Sequence, residues 1–126
     1  MANYTGPSRI AQIAIVVHDT PKAVAFYRDV LGLRLLFEAP PSLAFFDCGG
    51  VRLMLGPASS PEFDQKSFIY YHVDDIQAAA RELEGRGVVF DEKPHVVARL
   101  PNVDVWLAIF RDPDRNVLGL MSEVPR

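Results

Sequence analysis

The stretch Ala14–Leu33, AIVVHDTPKAVAFYRDVLGL, carries a complete change of hydrophobic period. Its first part belongs to an apolar, β-branched run, Ile10–Val17, that reads as a buried strand. Asp19-Thr20-Pro21 then marks a helix start, with Thr20 as the expected N-cap and Pro21 at the first helical position, where a missing N–H costs little. Ala23, Val24, Phe26, Tyr27, Val30 and Leu31 recur at helical spacing, and Gly32 suits the left-handed residue beyond a helix end. Three short strands are expected next, Leu33–Glu38, Ser42–Asp47 and Val51–Gly56, divided by Pro40-Pro41 and Gly49-Gly50.

The same order then restarts. Gly56–Lys66, GPASSPEFDQK, is turn-rich and polar and reads as a connection. Ser67–Val73 is the next expected strand, and Asp74-Asp75 opens a helix with Ile76, Ala79, Ala80 and Leu83 on one face, closed by Gly87. Further strands are expected at Val88–Phe90, at His95–Leu100 or Val105–Phe110, and at Val117–Met121. The helix entries at Asp19 and Asp75 lie 56 residues apart, which reads as internal duplication. Strands grouped after each helix favour an α+β fold over a doubly wound parallel sheet. Period-two alternation places Ile13, Ile15 and Val17 against the first helix and turns Gln12, Ala14 and Val16 to the other face. The second half repeats this, with Ile69, Tyr71 and Val73 buried and Phe68, Tyr70 and His72 turned inward to a cavity.

Bulk properties narrow the function classes. With 126 residues, 49% hydrophobic and 23% charged, the chain matches one globular domain with an ordinary core. A net charge of −3 and the lack of any Lys/Arg run argue against nucleic-acid binding. Apolar runs such as Ile13–Val17 and Val105–Phe110 are strand-sized, so no membrane crossing is expected. MANYTGPSRI lacks the apolar segment of a secretory signal. Cys48 stands alone, which excludes an intrachain disulfide and cysteine zinc motifs and fits a reducing cytoplasm. Ser42, Ser59, Ser60 and Ser67 lack a nucleophile-elbow context, and no phosphate-binding glycine loop occurs.

Three ordered segments carry a family resemblance. AIVVHDTPKAVAFYRDVLGL resembles the first-module signature of the vicinal oxygen chelate superfamily, which includes glyoxalases, bleomycin-resistance proteins and dioxygenases. VDDIQAAARELEGRGVVF (Val73–Phe90) resembles its second helix and following strand, and WLAIFRDPDRNVLGLM (Trp106–Met121) its closing hairpin. The resemblance implies one domain over residues 1–126. It consists of two βαβββ modules, about 8–57 and 67–124, joined by a linker at about 58–66, with curved mixed sheets enclosing a cavity. One departure is Arg115, where the family has Gly; a positive φ costs a side-chain-bearing residue about 1 kcal/mol or more.

The resemblance also implies four metal-ligand positions, usually His or Gln, Glu, His and Glu. Here they fall on Gln12, Met54, Phe68 and Gly119, with Gln12 seven residues before Asp19 and Phe68 seven before Asp75. Hard divalent ions need several oxygen or imidazole donors, and only Gln12 offers one. One-residue slips bring in Leu53, Leu55, Leu118 or Leu120, and Glu123 is about 13 Å along its strand from Gly119. No metal or other cofactor is therefore expected unless Gln12 is joined by ligands from other positions.

The expected ligand-binding set is Gln12, Arg52, Met54, Phe68, Tyr70, His72, His95, Trp106 and Gly119. Arg52 alternates with Met54, so it either meets an anionic group or is a solvated strand-end charge. His72 is an acid/base candidate or a polar cavity rim. His95, in EKPHVV, is a functional or a turn-packing histidine, and His18 is placed at the surface. Phe68, Tyr70 and Trp106 read either as an aromatic wall for a planar ligand or as core aromatics. Gly119 is expected to leave room for a ligand where relatives carry Glu. The resulting expectation is a cytoplasmic, glyoxalase-like homodimer that binds an organic small molecule without metal, either as a resistance-type binder or as a metal-independent enzyme. The alternatives are a metal-dependent lyase, isomerase or dioxygenase, and a non-catalytic regulatory or accessory module. No catalytic residue is assigned.

Overall fold

The computed structural model describes Tyr4 and residues 6–126. The chain folds as two βαβββ units. The first comprises β1 (Gln12–Val16), α1 (Thr20–Ala25, continued by a π-helical turn over Phe26–Val30), β2 (Arg34–Ala39), β3 (Leu43–Cys48) and β4 (Val51–Gly56). The second comprises β5 (Phe68–His72), α2 (Ile76–Gly85), β6 (Glu92–Arg99), β7 (Val103–Arg111) and β8 (Val117–Pro125). The sheets have the orders β1-β4-β3-β2 and β5-β8-β7-β6. In each, the first strand pairs parallel with the last and the other pairs are antiparallel. The expected α+β architecture is the one observed.

Several local expectations need correction. Ile10 lies outside β1 and is exposed. Asp19 caps α1, its Oδ1 accepting from the Lys22 N–H at 3.1 Å, while Thr20 is already helical and donates its hydroxyl to the Ser42 carbonyl at 2.8 Å. A carboxylate caps better there because Thr20 is drawn to that carbonyl. Asp75 caps α2 in the same way, its Oδ1 accepting from the Ala78 N–H. The first helix ends in a wider turn, with the Leu31 N–H reaching the Phe26 carbonyl at 2.9 Å. Val88–Phe90 forms no strand; the chain enters the sheet at Glu92, and both of the later stretches offered as alternatives form strands. The polar connection contains a short helical turn, Pro61–Phe63.

The faces follow period-two alternation. Ile15, Val17, Leu53, Leu55, Ala44 and Phe46 pack under α1 with Ala23, Val24 and Tyr27. Tyr71, Ala108, Phe110, Leu118 and Leu120 pack under α2 with Ile76, Ala80 and Leu83, and both sets join one continuous core. The units are tied by a buried polar cluster at the β7–β8 turn. The Tyr27 hydroxyl donates to Asp112 Oδ2 at 2.8 Å, and Asn116 Nδ2 donates to the Val16 carbonyl and to Asp112, each at 2.9 Å. Asp112 Oδ1 accepts from the backbone of Asp114 and Asn116, closing the turn. This turn keeps its form with Arg115 at φ 71°, so the unusual residue bears the strain and the loop is not rearranged.

Candidate functional site

On the first sheet, the face away from α1 carries a linked group. Gln12 lies opposite Arg52 and Ala14 opposite Met54, while Phe45 pairs with both Met54 and Phe37. Arg52 Nε donates to Gln12 Oε1 at 2.9 Å, and Gln12 Nε2 points to the Met54 sulfur at 3.7 Å. The guanidinium carbon is 5.2 Å from the centre of the Phe45 ring, and Phe45 stacks on Phe37 at 4.6 Å. No carboxylate lies within ion-pair distance of Arg52 among the described residues. Its charge is held in place by an amide and an aromatic ring, and its other donors have no side-chain partner among the described residues.

On the second sheet, the matching face carries Phe68 and Tyr70, with ring centres 5.1 Å apart. They line a cavity of about 360 Å³ with Leu107, Ile109 and Val117, bordered by Asp91, Glu92 and Arg111. Gly119 is directly opposite Tyr70, and a Cβ there would collide with the Tyr70 ring. The space expected for a ligand at Gly119 is filled by that ring. Phe68 and Tyr70 remain 55% and 49% exposed, and Phe37 on the other sheet 47%, unusually open for large side chains with so much apolar area.

The nine expected site residues therefore separate. Gln12, Arg52 and Met54 form one group; Phe68, Tyr70 and Gly119 form another, and the cavity beside them is lined by second-unit residues. His95 faces the same side as Leu107, and its Nδ1 lies 2.7 Å from the Lys93 carbonyl, so Nδ1 carries the proton. Its Nε2 lies 3.4 Å from Glu92. His72 sits at the end of β5 opposite Met121, with its ring 4.0 Å from Asp74. Trp106 is on the other face. It lies opposite Val96 and Ser122, shares the side of Ala108 and Phe110, and lines one depression with Asp74–Gln77 at the start of α2. It cannot join the Phe68–Tyr70 wall. His18 is exposed as expected and also bonded, with Nε2 3.0 Å from Asp64 and its backbone N–H donating to Asp114.

Phe37 and Phe45 were not singled out in the sequence. In LAFFDC, adjacent phenylalanines point to opposite faces, and only the pairing of Phe45 with Met54 decides which one faces outward.

The four family metal positions do not fit a hard divalent ion. Gln12's oxygen accepts from a guanidinium, so an ion there would sit beside a fixed positive charge. Met54 offers a soft thioether, and Phe68 and Gly119 offer no side-chain donor. Among the described residues, no group of three or more His, Cys, Asp or Glu is placed to hold a metal. No described helix is long and apolar enough to cross a membrane.

Two βαβββ units, each with a four-stranded mixed sheet, define the class of fold. Residues 9–120 match the family model of the Glyoxalase/Bleomycin resistance protein/Dioxygenase superfamily, and the chain belongs to that superfamily. It is 28% identical over 129 residues to the uncharacterized protein YraH of Bacillus subtilis (strain 168), covering 89% of this chain and 96% of YraH. Among solved structures it resembles TnmS3, an antibiotic binding protein from Streptomyces sp. CB03234, with 27% identity and a TM-score of 0.76 over 98% of this chain and 100% of that one. It also resembles lactoylglutathione lyase from Agrobacterium tumefaciens, with 27% identity and a TM-score of 0.73 over 91% and 93% of the two chains.

Proposed function

We propose that this protein binds an aromatic organic anion without a metal, in a site that two copies of the chain build together. The observation that carries this reading is Arg52, a cation seated on Phe45, braced by Gln12 and without a carboxylate partner among the described residues. A guanidinium in an aromatic surround suits a planar ligand bearing a carboxylate, sulfonate or phosphate. Phe68 and Tyr70 supply the opposing apolar wall. One chain leaves both faces open, and a two-fold axis would bring the first face of each copy against the second face of the other, giving two equivalent sites. TnmS3, as an antibiotic binding protein, supports the binding reading. The misfit of the family metal positions speaks against the metal-dependent alternative.

A titration with 1-anilinonaphthalene-8-sulfonate and with N-phenyl-1-naphthylamine, the same ring system without the sulfonate, tests the reading. The anion is expected to bind at least tenfold more tightly, a preference lost in Arg52→Gln and unaffected by EDTA. Equal binding of the two probes, or loss of binding with EDTA, would refute it.

A further inference from the structure

A groove of about 490 Å³ is bounded by the first helix, the chain leaving α2 and the β7–β8 turn. Its volume falls within the range of about 300–1,000 Å³ usual for small-molecule pockets. It shares only Asp91 and Arg111 with the cavity beside Phe68 and Tyr70, and those two are paired with each other at 2.9 Å. Arg86, also on its wall, is paired with Glu82 at 3.2 Å. Asp112 is buried, and both of its oxygens are used within the turn cluster. Two cations are left over. Lys22 from the first unit and Arg115 from the second are exposed residues of this groove, and neither forms an ion pair among the described residues.

Arg115 is also a strained choice at its position. Its φ is 71°, whereas the other left-handed positions of the described chain, Gly6, Gly32, Gly49, Gly50 and Gly87, are all glycine. A side chain strains the backbone there, and no ion pair within the chain offsets that strain. Backbone strain of this kind gathers at ligand clamps, where a bound group supplies the compensation. Phe26, Val30 and Val88 give the groove an apolar wall, and Val89 adds a side chain that is 84% exposed. We propose that this groove binds a small organic phosphate monoester, its phosphate held by Lys22 and Arg115 and its organic group laid against Phe26, Val30 and the two valines. A singly charged carboxylate would leave one of the two cations unmatched, and an ammonium with a guanidinium suits phosphate oxygens. The site needs neither Arg52 nor a second copy of the chain.

Calorimetric titration of the Arg52→Gln chain, in low salt and without phosphate buffer, isolates this groove from the outward anion site. Phenyl phosphate is expected to bind saturably. Benzoate, which lacks the second charge, and inorganic phosphate, which lacks the ring, should each bind at least fivefold more weakly. Adding Lys22→Gln or Arg115→Gly should weaken phenyl phosphate at least tenfold. Glycine accepts the left-handed backbone, so the melting temperature of Arg115→Gly without ligand should not fall, which separates lost binding from lost folding. With Arg52 intact, 1-anilinonaphthalene-8-sulfonate should bind equally with and without Arg115→Gly. Each of five results would overturn the inference: no saturable binding of phenyl phosphate, benzoate or inorganic phosphate binding as tightly, binding that survives either substitution, a lower melting temperature in Arg115→Gly, or altered binding of the sulfonate.

Discussion

At the scale of single residues, the two units are held together by polar groups that are buried and satisfied. Asn116 is fully buried; it accepts from the Ser67 N–H at 2.9 Å while donating to Val16 and Asp112. One side chain thereby joins the end of β1, the start of β5 and the β7–β8 turn. Asn116→Ala strands several of these groups at about 1–3 kcal/mol each. Urea unfolding should show a loss of about 3 kcal/mol; a loss below about 1 kcal/mol would show that the cluster is incidental. Tyr27 and Tyr71 are both held protonated, chiefly by burial, with Asp112 also opposing ionisation of Tyr27. Raised folded-state values mean that their stabilisation is complete below the ordinary tyrosine value of 10.0 and is lost as pH climbs past it, because only the unfolded chain can ionise them. In an absorbance titration, two of the four tyrosines should ionise only together with alkaline unfolding. Four tyrosines titrating together in an intact fold would contradict this.

At the scale of elements, a clean change of period made most of the fold readable. Helix starts at Asp19 and Asp75 and the strand Val51–Gly56 follow directly from turn residues and alternation. The β6 region resisted, because its pairing with β7 shifts register twice, between Glu92 and His95 and between Val96 and Ala98. Bulges break the period-two pattern that a sequence displays; both fall on β6, while β7 alternates without interruption and puts Trp106 on the face of Ala108 and Phe110. The outward placement of Gln12 and Phe68 was legible, but their separation in one chain was not, since alternation gives a face and says nothing of what lies opposite it. Across β5 and β8, Gly119 is paired with Tyr70 as a small residue beneath a large one. Gly119→Ala should lower stability by about 1–3 kcal/mol through overpacking, and adding Tyr70→Ala should recover most of it. Thermal unfolding of the single and double variants checks this, and a neutral Gly119→Ala would contradict the packing.

At the scale of the whole molecule, each sheet buries one face against its helix and leaves the other open with aromatic rings upon it. Arg52 marks one open face and Phe68 with Tyr70 the other, so the proposed site is complete only when two chains meet. Mixing two variants tests this most directly. Arg52→Gln and Phe68→Ala/Tyr70→Ala chains, each deficient in binding 1-anilinonaphthalene-8-sulfonate, are unfolded together, refolded and titrated. Random pairing makes half of the dimers mixed, and each mixed dimer carries one site with both lesions and one with neither. The account predicts recovery of tight binding at about a quarter of the sites. A mixture that binds no better than its two components would contradict it.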